Sequence, residues 1–104
     1  MTAYVIAEVG GVKDAERIAA YREISTRAAA AGGGTFIARG GRTTVLEGDW
    51  KPERIVIIRF DDMETARKYY DSELYRQARE VRAGASAKFN MICVEGLADE
   101  EKGQ

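Results

Sequence analysis

The sequence predicts an α+β domain of the ferredoxin-like kind, a split βαβ repeat whose antiparallel sheet carries its helices on one face. Three observations carry that expectation. Short β-forming runs and longer helical-period runs follow one another in the order β-α-β-β-β-α-α-β. The eleven glycines fall at the ends of these runs rather than within them, apart from one in the tail. One run, Arg54 to Phe60, is apolar on both of its faces. Right-handed crossovers then place both helical layers on the same side of the sheet.

A chain of 104 residues with 45% apolar residues supports one core and no second domain. The domain is expected over 1–97, with a polar tail, 98–104 (ADEEKGQ), expected to be disordered. The charge balance of 16 basic and 17 acidic residues gives a net charge of −1, which argues against nucleic acid as a partner. No histidine is present, so His-based triads, shuttles and ligands are excluded within the chain. A single cysteine forms no internal disulfide and no structural zinc site. No run approaches the ~18–20 apolar residues of a membrane span, and no secretory leader is evident. The expectation is a cytoplasmic protein with no membrane partner, no metal and no cofactor.

The elements follow in order. Ala3 to Val9 reads as a strand, with Tyr4, Ile6 and Glu8 on one face and Val5, Ala7 and Val9 on the other. Lys13 to Ala31 reads as a helix with Asp14 near its start, an inward stripe of Ile18, Tyr21, Ser25 and Ala28, and Gly32 or Gly33 as its stop. Thr35 to Arg39 and Thr43 to Glu47 read as a short hairpin across Gly40-Gly41-Arg42. Arg54 to Phe60 is the strongest strand. Asp61 and Glu64 look like a capping pair for a helix burying Met63, Ala66 and Tyr70. Ser72 looks like the cap of a further short helix with Leu74, Ala78 and Val81 inward. Ala85 to Glu95 reads as the last strand, with Cys93 expected to be a buried small hydrophobe.

One sheet face is left without helices, yet Arg54 to Phe60 and Ala85 to Glu95 both place apolar groups on it. A monomer would expose a patch of several hundred Å² there, which soluble monomers rarely tolerate. A second copy packing sheet to sheet covers it, so a homodimer is expected.

Arg39-Gly40-Gly41, Glu47-Gly48-x-Trp50-x-Pro52-x-Arg54, the strand ending at Phe60, Ala66, Tyr70-Asp71-Ser72-x-x-Tyr75 and Arg82 together form an ordered series. The series resembles the bacterial family called domain of unknown function 1330, from Tyr4 to about Glu95. The resemblance implies membership of the dimeric α/β-barrel superfamily, in which two ferredoxin-like sheets pair into a barrel. It implies no activity. The wider superfamily includes cofactor-free oxygenases, lactone isomerases, haem-degrading enzymes and small-ligand sensors, and fold does not choose among them.

The candidate site residues cluster in these motifs. Arg39 and Arg54 can hold a carboxylate or polarise a carbonyl, since guanidinium groups bind such groups bidentately. Glu47 is the candidate catalytic base. Trp50, Ser72, Tyr75 and Arg82 complete the ligand-binding set, the last three returning to one side of a regular helix. Each has a structural reading beside it: Arg39–Glu47 as a cross-strand ion pair, Trp50 as a lid or dimer contact, Ser72 as a helix cap, Tyr75 as a core aromatic and Arg82 as a complement to a helix dipole. Two functions follow. One is binding of a small anionic or carbonyl-bearing metabolite, with cofactor-free isomerase or oxygenase chemistry if the protein is an enzyme. The other is a non-catalytic binding or interaction module whose arginine and glutamate motif is structural.

Overall fold

The computed structural model describes residues 1–98 and shows a four-stranded sheet covered on one side by three helices. In chain order these are β1 (Ala3–Val12), α1 (Ala15–Ala31), β2 (Thr35–Arg39), β3 (Arg54–Phe60), α2 (Met63–Asp71), α3 (Glu73–Arg82) and β4 (Ser86–Glu95). The sheet order is β2-β3-β1-β4, and every neighbouring pair is antiparallel. This is the expected ferredoxin-like α+β arrangement. The tail expected to be disordered lies, from position 99 on, outside the described residues.

Side-chain alternation decides which face meets the helices. On β1, Ala3, Val5, Ala7 and Val9 are buried, while Tyr4, Ile6 and Glu8 point the other way. On β3, Ile58 and Phe60 are buried beneath the helices, with Arg54 and Val56 on the same side by register. The helix layer answers with Ile18, Tyr21, Ser25, Ala28 and Ala29 from α1, Ala66 and Tyr69 from α2, and Tyr75 and Ala78 from α3. Tyr69, Tyr75 and Phe60 are the largest fully buried side chains. The opposite sheet face carries Tyr4, Ile6, Ile55, Ile57, Ile92 and Val94, and Ile92 is 60% exposed.

The structure corrects several local expectations. Thr43 to Glu47 forms no strand: residues 40–53 are an exposed, irregular arm. β2, the expected hairpin partner, is an edge strand with one side free, yet the arm does not fold back to pair along it. The α2 cap is Asp62, which accepts from the Thr65 amide at 2.7 Å, not Asp61. Tyr69 rather than Tyr70 is the inward residue of α2, with Tyr70 half-buried and Met63 at the surface. Leu74 and Val81 are likewise half-buried, and Tyr75 takes the inward position on α3. Cys93 is exposed, since β4 is an edge strand whose helical side opens into a cavity.

The α1–β2 turn packs tightly enough to test. A Cβ at Gly34 would lie 2.7 Å from the Phe60 ring and 2.9 Å from Ile58. Gly34→Ala is therefore expected to cost about 1–3 kcal/mol through overpacking, read as a lower urea midpoint at unchanged slope.

Candidate functional site

The site begins with an irregularity in β2. Phe36 pairs with Ile58 and Ala38 with Ile57, so Ile37 is an extra residue, a β-bulge. The bulge resets the alternation. Arg39 falls opposite Val56 and joins Phe36 on the helix side, where simple alternation would have sent it to the bare face. Its guanidinium stacks 4.1 Å from the Phe36 ring centroid and donates to Thr26 Oγ1 and the Arg22 carbonyl of α1.

Arg54 opens β3 opposite Val9, also on the helix side. Gly40 makes room for it: a Cβ there would lie 2.0 Å from Arg54 Nη1, and the backbone has a φ of +70°. Partial burial and the nearby charges of Arg22 and Arg39 lower the Arg54 pKa from its ordinary value. Arg22, Arg39 and Arg54 thus converge at one end of the helix–sheet cleft. Among the described residues none of the three has a carboxylate within ion-pair distance.

Behind the arginines the cleft is apolar, walled by Val5, Ala7, Val9, Ile18, Phe89 and Met91, with about 30 Å³ of free space. That is room for one water-sized group. Tyr21 stands at its inner end, its hydroxyl 2.7 Å from that of Tyr75 in the core. A second, open cavity of about 600 Å³ lies between α2 and β4 and is lined by Met63, Tyr70, Arg82 and Cys93. Val5, Tyr69, Phe89 and Met91 line both volumes.

The remaining sequence-selected residues are placed as follows. Ser72 ends α2 and starts α3: its hydroxyl donates to the Tyr69 carbonyl at 2.7 Å and accepts from the Tyr75 amide at 3.2 Å. Tyr75 is fully buried, and Arg82 lies over the Phe89 ring at 3.5 Å. Trp50 is on the other side of the sheet, where its indole N–H donates to Glu8 Oε2 at 2.7 Å. That bond, with Lys88 and Asn90 nearby, holds the Glu8 carboxyl below its ordinary pKa. Glu47 is exposed on the arm and lines neither cavity. Arg22 was not selected from the sequence; it is exposed at the border of the inward stripe of α1, four residues after Ile18 and three before Ser25.

Three comparisons place the chain among known proteins. The model of the family described as domain of unknown function (DUF1330) matches residues 2–97. Among solved structures, a protein of unknown function from Rhodopseudomonas palustris is 19% identical, with a TM-score of 0.73 over 93% of this chain and 83% of that one. A dimeric ferredoxin-like protein from Jannaschia is 12% identical, TM-score 0.73, covering 92% of this chain and all of the other. One from Thermobifida fusca, also described as dimeric, is 17% identical, TM-score 0.62, over 92% of each chain. At these identities the likeness shows the fold alone. Among curated proteins none matches.

Burial raises the pKa of Tyr21, Tyr69 and Tyr75 above the ordinary tyrosine value of about 10. These phenols ionise more readily in the unfolded chain, so their contribution to stability is intact below pH ~10 and is lost as pH rises beyond it. In an alkaline titration, absorbance from these three phenolates should appear together with loss of circular dichroism. Their ionisation in a folded chain would contradict the packing described.

Proposed function

The chain belongs to the DUF1330 family, a domain of unknown function, and from that premise we propose that it is a homodimeric protein that binds a small organic anion in its helix–sheet cleft. The carrying observation is the convergence of Arg22, Arg39 and Arg54 on an apolar cleft with no carboxylate to neutralise them among the described residues. Arg54 is half-buried beside the exposed Arg22 and Arg39; like charges brought together repel, and an anion relieves that repulsion. The apolar wall behind them suits a carbon body more than an inorganic ion. The free space of about 30 Å³ is too small for a ring, so binding requires a side chain to move. Met91, unbranched and lining both cavities, is suited to that.

Homodimerisation rests on the bare sheet face and on the relatives described as dimeric. The arm adds Val45, Leu46 and Trp50, all exposed, to the apolar groups available on the chain. For catalysis by Glu47, the arm would have to bring its carboxylate to the cleft. Tyr21, which lines the cleft and is bonded to Tyr75 behind it, offers hydrogen bonds rather than a base at neutral pH. Non-catalytic binding is therefore the reading favoured here.

Three measurements follow. In a thermal-shift or calorimetric titration benzoate should bind wild type, and Arg39→Ala should weaken binding by about ten- to a hundred-fold, the worth of one charge-assisted contact. Binding that is equal in wild type and Arg39→Ala would remove the cleft as the site. Gly40→Ala should keep the fold at a cost of about 1 kcal/mol while displacing Arg54 and weakening benzoate in parallel. Ile92→Glu should convert a dimer to a monomer by light scattering, and an unaffected dimer would place the interface elsewhere.

A further inference from the structure

Arg82 takes no part in capping the helix it ends. It ends α3, where a basic side chain ordinarily serves the last carbonyl groups of the helix. That work is done by another residue. Arg17, from α1, donates through Nε to the Val81 carbonyl at 3.0 Å and through Nη2 to the Ala83 carbonyl at 2.6 Å. Arg82 instead turns inward. Its guanidinium stacks on Phe89 at 3.5 Å and stands 5.3 Å from the ring of Tyr21. Its Nε is buried without an acceptor, and none of its N–H groups has a hydrogen-bond or ion-pair partner among the described residues. A buried donor left unpaired is unfavourable and calls for a partner.

Position says what that partner is. Phe89, on which Arg82 lies, lines both cavities, and Arg82 itself faces the open one. Tyr21, the other ring beside it, lines the inner cleft that Arg22, Arg39 and Arg54 close at the opposite end. Cationic groups therefore stand on both sides of one aromatic and apolar wall. Resting on the anion-binding reading of that cleft, we propose that Arg82 is a second anion subsite, and that the ligand class is a dicarboxylate with a flat, unsaturated or aromatic body. One carboxylate meets the three arginines and the other meets the fork of Arg82. With Met91 displaced so that the two volumes join, the body lies against Tyr21 and Phe89, whose faces favour a planar π-system. A guanidinium already stacked on a ring is held in plane for bidentate contact, so little of its freedom is lost on binding.

Calorimetric titration of benzoate, terephthalate and the naphthalene and biphenyl dicarboxylates, at fixed ionic strength, tests this. In wild type at least one dicarboxylate should bind about ten-fold or more tighter than benzoate. In Arg82→Gln that preference should fall to parity, whereas Arg39→Gln should weaken mono- and dicarboxylate alike. Arg27→Gln removes the same charge from the exposed side of α1 and should keep the preference. Arg82→Lys, which retains the charge without the fork, should keep only part of it and serves if the glutamine variant does not fold. Benzoate binding with no gain for any dicarboxylate overturns the second subsite and leaves the first. A gain that persists in Arg82→Gln overturns it as well. If no carboxylate binds at all, the anion-binding reading falls and the subsite falls with it.

Discussion

The hydroxyl-to-hydroxyl bond between Tyr21 and Tyr75, 2.7 Å long and sealed in the core, is the constraint on which the helix layer depends. Two phenols in an apolar interior each need a partner, because an unpaired buried hydroxyl costs about 1–3 kcal/mol. Each finds the other, and the pairing fixes α1 against α3. Tyr75 is also the hub of an aromatic cluster, with ring centroids of Tyr69 at 4.9 Å and Tyr70 at 5.4 Å. Ser72 supports the hub from behind, since the hydroxyl that caps α3 at the Tyr75 amide also holds the Tyr69 carbonyl.

Given that frame, the arginines reach the cleft by three different local devices. Arg22 is there by helical phase. Arg54 is there because β3 begins beneath α1 and Gly40 leaves it space. Arg39 is there only because Ile37 is extra. A bulge interrupts a ladder and is retained where it re-aims a side chain; here it moves a charge from one face of the sheet to the other. The cationic cluster is thus built from an irregularity, a close approach and a phase, none of which the core requires.

These devices also explain what could be read in advance. Period-two alternation on β1 and β3, and the stripe of Ile18, Tyr21, Ser25 and Ala28, are written directly in residue type, so the fold and its bare face were legible. Ser72 as a cap was legible for the same reason. The bulge was not, because Phe36-Ile37-Ala38 reads as an ordinary strand and its register is set only by β3. Thr43 to Glu47 has strand-forming residues and a free β2 edge beside it in sequence, yet it does not pair there, which residue type does not reveal. Tyr69 and Tyr70 are three and four residues after Ala66, so helical spacing admits either as the inward member and packing on the sheet decides. Arg22 was hidden by its type: an arginine on an apolar stripe looks like an error of phase until its neighbours arrive.

The arm over residues 40–53 joins the two faces of the sheet. It leaves β2 directly after Arg39 and enters β3 directly before Arg54, so both of its ends carry cleft arginines. Between them the chain crosses to the bare face, where Trp50 is tied to Glu8. Glu8 and its neighbours Ala7 and Val9 belong to the same strand, one facing Trp50 and the others lining the cleft. A single central strand therefore serves as the wall of the cleft on one side and the floor of the bare face on the other. Packing against the bare face would bear on the segment that spaces Arg39 from Arg54, although that segment lines neither cavity itself.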